Sequence, residues 1–207
     1  MAAAGTVAGG RGLRAFIAFP LPAECQAALG ALQQLLRPQL PGVRWASPES
    51  IHLTLVFLGS VPEENLEKIT AVMLSVGSAF APFVLTVRGI GAFPSWQHPR
   101  VVWAGVAAVP QLVALQADLS AGLAQFGFPG DARPYVPHLT LGRCRSGGRG
   151  AVPDSGRAEA GIAVVPADRL ILYESRLQSA GAQHIPLKTQ FLGRNGGADE
   201  PALPAGV

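Results

Sequence analysis

The chain has 207 residues, 49% of them apolar and 14% charged, and its 16 basic and 13 acidic residues leave a net charge of +3. That composition excludes a disordered chain, and no apolar run reaches the roughly 18 residues that a membrane span requires. Two cysteines, Cys25 and Cys144, lack metal-site or redox-motif spacing and read as ordinary reduced thiols, while the small positive charge tolerates an anionic partner without specifying one.

Residues 1–12 and 195–207 are rich in Gly, Ala and Pro without periodicity and read as tails around one folded unit, residues 13–194. The first tail has no basic start leading into a continuous apolar segment, so the cytoplasm is the expected location. Leu13–Phe19 reads as a strand and Pro22–Arg37 as a helix with Pro22 in its first turn and Pro38 at its end. Next comes SIHLTLVFLG, Ser50–Gly59, suited to a buried strand. In PEENLEKITAVMLSV, Leu66, Ile69, Met73 and Val76 recur at 3-4-3 spacing, an amphipathic helix whose Glu63 and Glu64 complement the helix dipole. Phe83–Phe93 and Arg100–Val106 read as strands around the loop PSWQHP, which holds His98. Leu112, Leu115, Leu119, Leu123 and Phe126 then share one helical face, with Gly127 placed to stop the helix. PHLTLGR, residues 137–143, is followed by a flexible loop, RSGGRGAVPDSGR, and by strands at RLILYESRL and near QHIPL.

Strand, helix and a His-Leu-Thr-Leu strand thus occur twice, with His52 and His138 separated by 86 positions in a chain that has only four histidines. This order predicts an internal duplication: an α+β protein of two pseudo-symmetric lobes, each an antiparallel sheet with helices packed on the outside, and a cleft between them. In a strand alternate side chains share a face, so His52 and Thr54 face away from Leu53 and Leu55, as His138 and Thr140 do from Leu139 and Leu141. Each strand buries two leucines and presents an imidazole beside a hydroxyl. Two such faces across a cleft suit displacement at phosphorus, which needs a base on one side and an acid on the other. Imidazole titrates near neutrality and can serve as either, and threonine hydroxyls can donate to the non-bridging oxygens. No metal or other cofactor is required by this scheme.

The paired motifs resemble the two-histidine phosphoesterase superfamily, and the surrounding blocks resemble its RNA 2′,3′-cyclic phosphodiesterases, historically called 2′-5′ RNA ligases. The blocks run in family order from Arg14 to Gly193: RAFIAF, VRWASPESIHLTLVFLG, GIGAFPSWQHPRVVWAGV, GFPGDARPYVPHLTLGR and LYESRLQSAGAQHIPL. The resemblance implies a metal-independent enzyme that opens a terminal 2′,3′-cyclic phosphate to a 2′-phosphomonoester. It makes His52 the proton donor to the leaving 3′ oxygen, His138 the group that activates water, and Thr54 and Thr140 the hydroxyls that hold the phosphate. Arg133, in RPYVPH, matches a family arginine and is the expected cation, with Tyr135 and Phe19 as candidates for stacking on base or ribose. Where many family members carry Lys or Arg after the first motif, Val56 stands here, expected on the face of His52 and Thr54, which shifts weight onto Arg133. Gly142 replaces a common alanine and is expected to be harmless.

Other readings keep the site and change its substrate: 2′-5′ linked oligonucleotides or nucleotide cyclic phosphates, with ligation of RNA ends as a side activity. A nucleotide- or RNA-binding module without chemistry has no need of two proton-transfer groups. A zinc site would have to recruit His98 and His184 from elsewhere, and these two are expected to be solvent-exposed or structural. Arg145 and Arg149, among glycines, read as a solvated loop. The expected partner is therefore RNA with a cyclic phosphate end or a small nucleotide phosphodiester, met by a monomer with no membrane contact.

Overall fold

The computed structural model describes residues 12–131, 133–144, 153, 161–178 and 181–194. Both proposed tails, apart from Gly12, and Arg145 and Arg149 lie outside the described residues. Strands β1 (Leu13–Phe19), β2 (Val43–Trp45), β3 (Leu53–Val61), β4 (Phe83–Phe93), β5 (Val101–Val106), β6 (His138–Cys144), β7 (Ala163–Ala167), β8 (Arg169–Gln178) and β9 (Gly181–Phe191) alternate with helices α1 (Ala23–Leu36), α2 (Leu66–Ala79) and α3 (Pro110–Ala124). Their antiparallel pairing follows the order β7-β4-β5-β6-β3-β1-β8-β9, with β2 added on β6.

From its middle outward, this order shows the expected duplication. β3, β1, β8 and β9 run one way, and β6, β5, β4 and β7 run the other. The two motif strands meet at the seam, where Leu53 pairs with Leu139. The fold is α+β, as the alternation of motifs and helices predicts. Among the described residues no helix is long and apolar enough to cross a membrane.

The helical stripes bury as their spacing requires: Ile69 and Met73 of α2 and Leu112, Leu115, Leu119 and Leu123 of α3 are fully buried. Phe126 does not join them. The helix has ended by then, and Gly127 at φ +87° turns the chain so that Phe128 fills the core instead. Pro22 precedes the first helical residue rather than sitting within the first turn, and its carbonyl accepts from the Gln26 N–H at 3.0 Å. β2 and β7 are strands that the sequence pattern does not announce. β2 is three residues long, and β7 carries Pro166 on an edge of the sheet, the one place where a missing N–H costs a strand little.

Each motif strand contains a β-bulge at the same place. Thr54 and Val56 stand opposite Ala18 and Ile17, neighbours in β1, which leaves Leu55 as the extra residue; Thr140 and Gly142 stand opposite Trp103 and Val102, which leaves Leu141. In both copies a glutamine from the helix of the other half donates to the carbonyl of the bulged residue. Gln33 of α1 donates to Leu141 O at 2.9 Å and also to Ala46 O at 2.9 Å, while Gln116 of α3 reaches Leu55 O at 3.4 Å. Gln33 is 2% exposed, and its loss takes one of two donors from Leu141 O, which also accepts from the Ala46 N–H at 2.9 Å, and the side-chain donor from Ala46 O. Gln33→Leu is expected to destabilise the protein by about 2 kcal/mol, a fall of about 4–8 °C in Tm by thermal unfolding. An unchanged Tm would show that neither carbonyl depends on the Gln33 amide.

Candidate active site

His52 stands just before β3 and His138 opens β6, so both imidazoles lie at the seam. Extending the antiparallel register one residue each way from Leu53 and Leu139 brings His52 alongside Thr140 and His138 alongside Thr54. The two leucines are buried beneath the seam, while the four polar side chains stay partly exposed on the other face.

The two histidines are held by the same local device. His52 Nδ1–H donates to Ser50 O at 2.9 Å, and His138 Nδ1–H to Val136 O at 2.7 Å, in each case a carbonyl two residues earlier. A carbonyl can only accept, so this contact fixes the proton on Nδ1 and leaves Nε2 of each neutral ring as the nitrogen free to take a proton. Burial lowers the pKa of His52 to about 4, with His184 and His138 pushing the same way against the support of the Ser50 carbonyl. Burial also lowers that of His138, helped by the Arg143 charge and opposed by the Val136 carbonyl. The free protein at neutral pH therefore holds both rings neutral.

Aromatic side chains frame each ring. Phe16 stacks on His52 with centroids 4.5 Å apart and on Tyr173 at 5.3 Å, and His184 meets the edge of His52 at 4.9 Å. On the other side Phe93 contacts the edge of His138 at 4.9 Å, with Trp103 at 6.2 Å. The Trp103 ring lies directly over Gly91, where a Cβ would collide with it.

Several expected site residues take other places. Phe19 is fully buried and packs against Phe83, because it lies three residues from Phe16 and so on the opposite face of β1. Phe16 is the β1 aromatic at the site. Tyr135 packs against the core and spends its hydroxyl on Thr54 O at 3.0 Å, so it ties the loop before β6 onto the first motif strand. Arg133 has a side chain 85% exposed and is paired with Asp131, whose carboxyl it holds down at about 2.

Val56 is 3% exposed and faces the core, not the cleft, since the bulge at Leu55 breaks the alternation. The next residue, Phe57, takes the outward place and is 64% exposed. In β6 the equivalent bulge does the same, and the outward place belongs to Arg143, an exposed residue whose charge is felt at His138. Arg143 is thus the cation that the geometry brings to the second motif. Gly142 fits because β2 crosses so closely that a Cβ would stand 2.5 Å from Val43 Cγ1 and 2.9 Å from Arg44 O.

His98 is exposed in its loop, whereas His184 is brought to the site by the β8–β9 hairpin. The signal for His184 lies in pairing alone: Ser175 faces it in β8, and Tyr173 lies beside Phe16 through the pairing of β8 with β1. Beside His52 opens a pocket of about 240 Å³, lined by Gln26, Glu49, Ser50, His52, Tyr173 and His184 with apolar neighbours. Among the described residues no cluster of three or more His, Cys, Asp or Glu side chains is arranged to hold a metal ion.

Two fixed imidazoles with free Nε2 atoms, two hydroxyls and an arginine are groups that phosphoester chemistry can use. The family model of the LigT-like phosphoesterases matches residues 19–103 and 106–182, and the chain belongs to that family. It is 32% identical over 164 residues to an RNA 2′,3′-cyclic phosphodiesterase of Geobacillus stearothermophilus, a match that covers 79% of this chain and 52% of that protein, about half its length. It is 35% identical over 133 residues to one of Methanothermobacter thermautotrophicus, covering 64% of this chain and 72% of the relative. Among solved structures, TT0787 of Thermus thermophilus superposes with TM-score 0.73 at 30% identity, over 87% of this chain and 98% of its own. E. coli LigT in complex with 3′-AMP gives TM-score 0.72 at 26% identity, over 88% and 99%.

Proposed function

We propose that the chain hydrolyses terminal RNA 2′,3′-cyclic phosphates to 2′-phosphomonoesters, with the two histidines exchanging the protons and no metal ion needed for either transfer. The reading rests above all on the seam, where the Leu53–Leu139 pair sets two Nδ1-anchored imidazoles and two threonines on one face. One neutral Nε2 takes a proton from water as the oxygen attacks phosphorus. The bond from phosphorus to the 3′ oxygen breaks on the opposite side, and that oxygen takes a proton from the other, protonated ring. The 2′ ester survives. Thr54 and Thr140 donate to the non-bridging oxygens, and Arg143 offsets their charge. The family order makes His52 the acid, and a bound phosphodiester anion raises its proton affinity towards that role.

This scheme has a pH signature. Only the form of the free enzyme with one proton on the pair is competent, and kcat/KM reports that form. With His52 lowered to about 4 and His138 below its ordinary 6.5, kcat/KM is expected to peak between about 4 and 6.5 and to fall as pH rises through neutrality. A maximum above pH 7 would contradict paired titration of these rings. The activity itself is tested by incubating the protein in excess EDTA with a short RNA ending in a 2′,3′-cyclic phosphate and resolving the product isomers. A 2′-phosphate product supports the reading, and an intact ring overturns it.

A second reading, cleavage of 2′-5′ linked oligonucleotides, draws support from the aromatic frame of Phe93 and Trp103 beside His138, which gives a nucleoside on the far side of the phosphate a surface to stack on.

A further inference from the structure

The pocket beside His52 has a polarity that the hydrolysis of a phosphate ring does not use. Its aromatic wall is Tyr173 and His184, and its polar rim is Gln26, Glu49 and Ser50. Gln26 commits one amide N–H to Leu21 O at 3.2 Å, and keeps its amide oxygen as an acceptor beside the second N–H. Ser50 gives its hydroxyl proton to Ser47 O at 2.8 Å and likewise keeps lone pairs. Glu49 is exposed, and its carboxylate has no hydrogen bond or ion pair among the described residues. The rim therefore presents acceptors and, at Glu49, a charge with no partner.

We infer that this pocket reads the nucleobase of the substrate's terminal nucleotide and selects guanine, with Tyr173 and His184 as the stacking wall and Glu49 as the residue that reads the base edge. The inference rests on the proposed hydrolysis for the identity of the ligand as a nucleotide. A single-stranded base is recognised by stacking on an aromatic wall together with hydrogen bonds to its Watson–Crick edge. Guanine alone presents two adjacent donors there, N1–H and N2–H, which a carboxylate accepts as a pair. Adenine and cytosine set a ring-nitrogen acceptor beside their single amino group, and uracil sets its one N–H between two carbonyls, so each turns a lone pair towards the carboxylate. The position of the pocket fits this role. It shares His52 with the reacting site, so a base held there belongs to the nucleotide whose phosphate the two histidines address.

The test compares kcat/KM for four short RNAs that differ only in the terminal nucleotide bearing the cyclic phosphate. In parallel, calorimetry gives the Kd of 2′-GMP, 2′-AMP, 2′-CMP and 2′-UMP. Guanine is expected to lead by about tenfold to a hundredfold in both measurements, the worth of a charge-assisted pair of hydrogen bonds, and Glu49→Gln is expected to bring the four within about threefold. Equal Kd values for the four nucleotides overturn the inference even if every ring is opened, and the hydrolysis reading then stands without it. A guanine preference that Glu49→Gln leaves intact overturns the role of Glu49. Selective binding of 2′-GMP with no ring opened upholds the pocket and overturns the hydrolysis reading.

Discussion

His52→Ala and His138→Ala each lower kcat for ring opening by about 10²–10⁴-fold, the usual worth of a positioned general acid or base. The expectation follows from the seam. Each imidazole has one nitrogen committed to a backbone carbonyl and the other free, so each can supply one proton transfer and neither can supply both at once. Because a single displacement needs the two transfers together, the double variant is expected to lose little more than the worse single one, as groups acting as a unit do. Thermal unfolding belongs in the same experiment, since His52 also packs against Phe16 and His184. Retained Tm with lost turnover separates chemistry from folding. If either single variant keeps its rate within about tenfold of the native protein, the paired scheme is wrong.

The second large effect distinguishes two arginines. Arg143→Ala is expected to lower kcat/KM by about a hundredfold, mostly through KM if the guanidinium binds the phosphate equally in ground and transition states and through kcat if it answers the charge that develops. Arg133→Ala is expected to change it by less than about threefold, because an exposed ion pair is worth little and this one is already neutralised by Asp131. Arg143→Lys adds a control: a single ammonium keeps the charge and loses the planar fork, so partial recovery is expected. The reverse result, a large loss at Arg133 and a small one at Arg143, would mean that the loop before β6 moves on binding and breaks the Asp131 contact to carry Arg133 into the cleft.

Much of the architecture is legible along the chain. The leucines of the two motifs alternate with His and Thr, and period-two alternation assigns opposite faces with no knowledge of the neighbouring strand. The helices announce themselves by stripes such as Leu112, Leu115, Leu119 and Leu123, all fully buried. Repetition of the motif gives the two halves, while the pairing of the two motif strands side by side, Leu53 against Leu139, is seen only in the structure.

Alternation, however, is a property of one strand, and a bulge is a property of two. Where Leu55 and Leu141 are inserted opposite β1 and β5, the count of faces changes by one, so Val56 turns inward while Phe57 and Arg143 turn outward. No period in the sequence carries that step. Phe19 and Phe16 show the same limit in milder form, since only the site's location says which face of β1 matters. His184 reaches His52 through three successive strand pairings, β9 with β8, β8 with β1 and β1 with β3, a relation set by the order of the sheet. The sequence by itself thus determined the chemistry available, two imidazoles each beside a hydroxyl on duplicated strands. Tertiary structure alone decided which arginine, which aromatics and which third histidine surround them, because strand register and bulges are set by pairing energies between residues far apart in the chain.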